Sequence, residues 1–169
     1  VKAGGDYHGE WSEHANYGKV PRRWTFFGPV DLDHEFSDEE RTALHVTPGE
    51  GGWSSPVWFG HDRIDLDRHY DDPVHVAVYA HTRFTMPRDD EVRFWLGADD
   101  RIQVWIDGAS IYQSTGARRL GRRSADNLLG QVRLPGQVQA GEHDLLIRIE
   151  QRRGPFEFSF NICEAIDDI

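Results

Sequence analysis

From Val74 onward the chain alternates apolar and polar residues with a period of two, in short runs broken by turn-forming residues. In "VHVAVYAHTRF" the residues Val74, Val76, Val78 and Ala80 alternate with His75, Ala77, Tyr79 and His81. "EVRFWL" repeats the pattern with Val92, Phe94 and Leu96, and "RIQVWI" with Ile102, Val104 and Ile106. "GEHDLLIRIEQ" adds Leu145, Ile147 and Ile149, and "GPFEFSFNI" adds Phe156, Phe158 and Phe160. Successive side chains of a strand point to opposite faces, so these sets predict one coherent apolar core. Asp107-Gly108 predicts a hairpin turn, because both central residues accept positive φ, and "ASIYQS" follows as its return strand. "GQVRLPGQV" reads as a short strand broken at Pro135, which suits a sheet edge or a strand end. The last two runs read as a hairpin around Arg152-Arg153-Gly154-Pro155. Many short strands spaced by turns predict an all-β fold, a β-sandwich.

The first 70 residues are less regular. "RRWTFFGPV" reads as a first strand ended by Gly28-Pro29. "FSDEERTALHV" carries a helix start: Ser37 is a cap, and Asp38, Glu39 and Glu40 sit where the helix dipole favours acids. Thr47-Pro48-Gly49 stops it after a turn or two, and it is the only helix the sequence predicts. The Gly-, Pro- and Asp-rich stretch from Gly51 to Asp72 has no period and is expected to wrap one edge or end of the sandwich. Residues 1–23 read as an arm or linker remnant, leaving 24–169 as a single domain.

Composition narrows the class. A chain of 169 residues with 38% hydrophobic and 12% aromatic residues can fill one sizeable core. A net charge of −10 argues against nucleic acid, whose binders need cationic surface for phosphates, and against an anionic membrane. The one basic run, "GARRLGRR" from Gly116, is either a solvated turn or a phosphate contact. A single cysteine, Cys163, excludes an intrachain disulfide. No apolar run reaches the length of about 18 residues that a membrane span needs, and no signal peptide is visible. The chain begins at Val1 instead of Met, which points to a piece of a longer protein or a processed chain.

Four quoted elements carry a resemblance: Gly97-Ala98-Asp99-Asp100, Val104-Trp105-Ile106-Asp107-Gly108, the strand from Gly141 to Ile147, and the aromatic strand from Phe156 to Ile162. Together with the opening "WTFFGPVDLD" they resemble the galactose-binding-domain-like jelly rolls that accompany bacterial polysaccharide-degrading enzymes. The sequence departs from that pattern at Phe156-Glu157, where such domains often carry Trp-Gly, and in its basic loop. The resemblance implies a jelly-roll sandwich, a carbohydrate-binding module bound to polysaccharide or oligosaccharide, a covalently linked catalytic domain, and an extracellular or periplasmic location. It also implies a structural calcium ion, for which Asp31, Asp33, Asp99 and Asp100 are the candidate ligands. No other cofactor is implied.

The positions opposite the core set are His75, Tyr79, His81, Arg83, Arg93, Trp95, Gln103, Trp105, Arg148, Glu150, Glu157, Ser159 and Asn161. Sugars stack their C–H faces on aromatic rings and bond their hydroxyls to planar polar groups. The expectation is therefore a shared outward face on which Trp95, Trp105 and Tyr79 stack while Arg93, Gln103, Arg148 and Glu150 fix hydroxyls. An acidic ligand would meet the arginines in bidentate geometry. Trp53 and Trp58, in the Gly/Pro-rich stretch, are candidate loop-borne platforms. The competing reading packs these indoles beneath the irregular first 70 residues and makes the chain a structural or protein-interaction domain. A glycosidase would need two carboxylates flanking a cleft, and Glu150 and Glu157 on adjoining final strands are the candidates for a lyase or hydrolase; an esterase is a further catalytic alternative. No nucleophile elbow, phosphate loop or zinc spacing is present, so the chain is read as non-catalytic.

Overall fold

The computed structural model describes residues 23–59, 63–71, 73–99, 101–114, 132–152 and 154–164. The N-terminal arm up to residue 22, the basic run and Asp100 lie outside them. Among the described residues, ten strands and two short helices follow in chain order: β1 (Arg23–Asp31), α1 (Asp38–Thr42), β2 (Val57–Trp58), β3 (Ile64–Asp65), α2 (Leu66–Tyr70), β4 (Val76–Met86), β5 (Asp90–Asp99), β6 (Arg101–Ile106), β7 (Ala109–Gln113), β8 (Val132–Val138), β9 (Gly141–Gln151) and β10 (Glu157–Glu164). They form two antiparallel sheets, one ordered β2-β1-β4-β9-β6-β7 and the other β3-β10-β5-β8. The fold is a β-sandwich.

The alternation read from the sequence builds its core. Val78, Ala80, Val92, Phe94, Leu96, Ile102, Val104, Leu145, Ile147, Ile149, Phe156, Phe158 and Phe160 are all buried in one cluster between the sheets. Val76 and Ile106, at strand ends, are half-buried. Trp24 of β1 meets Phe158 of β10 edge to face at 5.1 Å, joining one sheet to the other. β8, which carries Pro135, lies at the edge of the smaller sheet, where a proline is tolerated. Beside it Gly136 lets the edge close over the core: a Cβ there would stand 2.2 Å from the Phe94 ring.

Local signals behave as their chemistry requires. Ser37 and Glu40 make a reciprocal capping box, with Ser37 N–H donating to Glu40 Oε1 at 2.8 Å and Glu40 N–H donating to Ser37 Oγ at 3.1 Å. The β6–β7 turn has Asp107 at φ 51° and Gly108 at φ 85°, both in the left-handed region. A second short helix, α2, goes beyond what the sequence predicts for its Asp-rich stretch: Asp65 caps it by accepting from Asp67 N–H at 3.0 Å.

Two connections differ from expectation. β1 does not end at Gly28-Pro29 but continues to Asp31, with a register shift between Phe27 and Val30. β9 and β10 are not a hairpin; β9 pairs with β4 and β6, and β10 with β3 and β5. Glu150 and Glu157 therefore lie in different sheets, and the carboxylate pair proposed for a lyase or hydrolase is not assembled. The reason is general: a connection short enough for a hairpin is also short enough to step between two sheets stacked about 10 Å apart.

Candidate functional site

Directly opposed residues on neighbouring strands share a face, so the registers map the outer surface of the larger sheet. One row runs Phe27, Tyr79, Arg148, Gln103, Gln113 across β1, β4, β9, β6 and β7. Above it lie His81, Leu146 and Trp105, and above those Arg83 and Asp144. Below it lie Ala77, Glu150 and Arg101. Seven of the expected outward residues thus share one surface: Tyr79, Trp105, Gln103, Arg148, Glu150, His81 and Arg83.

Half of that surface is roofed by the segment after β1. Val46 and Trp53 bury themselves with Tyr79, Trp105 and Leu146 in a second apolar cluster, flanked by Phe27, Val30, Phe36 and Leu44. Polar tips pin the roof. The Tyr79 hydroxyl accepts from Phe36 N–H at 3.0 Å. Arg148 Nη2 donates to the carbonyls of Leu32 at 2.6 Å and His34 at 3.1 Å, and Nη1 donates to Glu150 Oε2 at 2.7 Å. The Arg41 guanidinium stacks on the Trp105 ring, 4.6 Å from its centroid. Helix α1 rests on the β6–β7 turn, where a Cβ on Gly108 would come within 3.3 Å of Thr42 Cα. Tyr79, Trp105, Trp53 and Arg148 are left 1%, 5%, 7% and 2% exposed. Their ring faces and the Arg148 fork are thus out of a solute's reach, which corrects the expectation that they stack on sugars or grip an acidic ligand.

The remaining candidates scatter. Trp95 and Arg93 belong to β5 and lie half-buried on the outside of the smaller sheet, on the opposite side of the sandwich from Trp105. Arg133 covers the Trp95 ring at 4.2 Å. Trp58, on the edge strand β2, is 72% exposed with the Arg23 guanidinium 5.9 Å from its ring centroid. Asp31 and Asp33 are exposed around the end of β1, whereas Asp99 is buried in the smaller sheet. Asp99 shares a row with Glu157 and Asp65. Burial raises the proton affinity of Glu157, with Asp65 and Asp67 adding to it against the pull of Arg63. Even so, among the described residues no group of three or more potential ligands is close enough to hold a metal ion.

Where the roof stops, two hollows open among the described residues. One, of about 160 Å³, lies under Arg41 and Thr42 and is bounded by His81, Trp105, Asp107 and Asp144. Its carboxylates are paired. Asp144 Oδ1 faces His81 Nε2 and Arg83 Nε, each at 2.9 Å. Burial pushes its pKa up, but those two partners outweigh it and hold the carboxyl below its ordinary range. Burial likewise holds His81 below the ordinary imidazole value, against the pull of Asp144. For His143 burial is overcome: its Nδ1 faces Asp107 Oδ2 at 2.6 Å and its Nε2 faces the Gln139 carbonyl at 2.7 Å, so its pKa rises.

These two histidines titrate with opposite effect on stability. The His143 contribution is complete below its unfolded pKa of about 6.5 and is lost as pH rises through its higher folded value. The His81 contribution is complete above about 6.5 and is lost as pH falls through its lower folded value. Urea unfolding across this range is expected to show His143→Gln reducing the alkaline fall and His81→Gln reducing the acid one, to which His69, also held low by burial, contributes. Unchanged profiles in both variants would contradict the assignment.

The second hollow, of about 150 Å³, lies beyond the roof towards β7 and is lined by Glu35, Arg101, Gln103, Gln113, Arg148 and Glu150, with the Ser114 hydroxyl and Ile102 at its base. Ser114 is occupied with the ladder, accepting from Ile102 N–H at 2.9 Å. Among the described residues, three buried atoms around the hollow have no hydrogen-bond partner: Arg101 Nε, Arg148 Nε and Glu150 Oε1. The Arg152 guanidinium lies 3.5 Å from Glu150 Oε1, an ionic contact at the limit of hydrogen-bond distance. Leaving such groups unmatched costs about 1–3 kcal/mol each. Gln103, Arg148 and Glu150 were legible in the sequence. Gln113 and Arg101 were not singled out, although Gln113 follows from the hairpin register and Arg101 shares the parity of Gln103. Glu35 comes from the irregular roof, where no periodic signal exists.

No protein-family model and no curated protein matches the sequence. Solved structures share the fold. A β-glucosidase from Kluyveromyces marxianus matches with a TM-score of 0.56 at 10% identity, over 86% of this chain and 17% of that one. The same enzyme in complex with glucose matches with a TM-score of 0.55, over 99% of this chain and 19% of that one. The PA14 domain of the antifreeze protein MpAFP matches with a TM-score of 0.51 at 10% identity, over 88% of this chain and 84% of that domain. The chain thus spans less than a fifth of the length of the β-glucosidase and most of the length of the PA14 domain.

Proposed function

We propose that the chain is a non-catalytic carbohydrate-binding β-sandwich that tethers a linked catalytic domain to polysaccharide outside the cytoplasm. The observation that supports it is the polar hollow beside β7, where the amides of Gln103 and Gln113 stand beside the charged side chains of Arg101 and Glu150. These are planar groups held on strands, so little ordering is required when a sugar binds. The β-glucosidase and PA14 neighbours share the fold and so are compatible with this reading. Trp58, exposed on the opposite edge of the sheet, is a separate platform on which a longer chain could stack.

Affinity electrophoresis against plant, algal and microbial polysaccharides tests the proposal. Wild-type protein is expected to be retarded by at least one of them, and a Gln103→Ala/Gln113→Ala variant of equal stability is expected to migrate freely. Retardation by none of the panel would overturn it. A second reading, a structural or protein-interaction domain, draws on one specific observation: Tyr79, Trp53 and Trp105 serve as packing beneath the roof. It predicts tryptophan emission that no glycan changes.

A further inference from the structure

The hollow beside β7 combines hydrogen-bonding groups of both kinds. The Glu35 and Glu150 carboxylates accept, whereas the Arg101 guanidinium donates. The two glutamine amides supply both. A group bound there must donate and accept within a few ångströms. A hydroxyl does both, a carboxylate or sulfate only accepts, and an ammonium only donates.

Charge points the same way. Two guanidiniums face two carboxylates, so the hollow has no excess of either sign among its lining groups. The Arg148 Nη atoms are already committed to Glu150 and to the Leu32 and His34 carbonyls. Arg101 stands directly opposite Glu150 in the β6–β9 register. Any anion that reached Arg101 would therefore also meet Glu150, and like charges brought together without solvent are strongly disfavoured. A hollow of about 150 Å³ has room for one sugar ring, not several.

On the reading that this hollow binds saccharide, we infer that it accepts a single neutral sugar ring through adjacent hydroxyls and rejects uronic, sulfated and amino sugars. Nuclear magnetic resonance tests this through the side-chain amide signals of Gln103 and Gln113 in the full chain. The titrants are methyl glycosides of glucose, galactose, mannose and xylose, with glucuronate, galacturonate, a sulfated galactose and glucosamine as counterparts. At least one neutral glycoside is expected to shift both amides, with an affinity at least about tenfold above that of its charged counterpart. Raising the ionic strength should leave the neutral affinity unchanged. Glu35→Gln, at an exposed position outside the Arg148 network, is expected to bring the matching uronate to within about threefold of the neutral sugar. A charged sugar that binds wild type as tightly as its neutral counterpart would overturn the inference and leave the saccharide reading standing. Amide signals unmoved by every sugar would overturn both.

Discussion

Trp105→Ala is expected to lower the unfolding free energy by about 3–5 kcal/mol, the usual cost of truncating a buried indole. The indole is 5% exposed and packs with Val46, Trp53, Tyr79 and Leu146 while supporting the Arg41 guanidinium. Its loss leaves a cavity between sheet and roof and removes the surface on which Arg41 is stacked. Urea denaturation followed by circular dichroism measures the effect. A stacking platform open to solution would behave differently: its removal would abolish ligand retention at nearly constant stability. A variant as stable as wild type would therefore remove Trp105 from the second core.

Arg148→Leu should cost about 3–5 kcal/mol, because removing one member of a buried ion pair strands the other. The side chain is 2% exposed and serves three acceptors at once: Glu150 Oε2 and the carbonyls of Leu32 and His34. Truncation leaves two carbonyls and a carboxylate oxygen without that donor. Hydrogen exchange should quicken at the Phe36 amide, which the roof holds against the Tyr79 hydroxyl. Restoring part of the stability with Arg148→Leu/Glu150→Leu would show that the stranded carboxylate carries much of the cost. If Arg148→Leu unfolds with wild-type stability and the Phe36 amide stays protected, the pin has no role.

Alternation along a strand predicts which residues face a core, and it does so here for β5, β6, β9 and β10. It cannot predict which sheet a strand joins, since pairing is decided by contacts far along the chain. Trp95 and Trp105 both carry outward parity, yet they lie on opposite sides of the sandwich because β5 and β6 belong to different sheets. The same gap separated Glu150 from Glu157. The roof was harder to foresee, because residues 32–53 have no sustained period. Two of its signals were nonetheless present: Phe36 and Trp53 needed somewhere to bury, and Tyr79 with Arg148 offered polar tips at outward positions. The hollow was half legible, since Gln103, Arg148 and Glu150 share parity within paired strands, whereas Glu35 depends on how the roof is draped.

The pins of the roof join residues that are distant in the chain: Leu32 to Arg148 across 116 positions and His34 to Arg148 across 114. Contacts of such separation make folding slow, because loop-closure entropy is spent before the contact forms. During synthesis Phe27, Phe36 and Trp53 leave the ribosome long before the strands that shelter them. The N-terminal third must therefore pass through a stage with bare aromatic surface, the condition under which chaperones engage nascent chains and unpartnered segments aggregate.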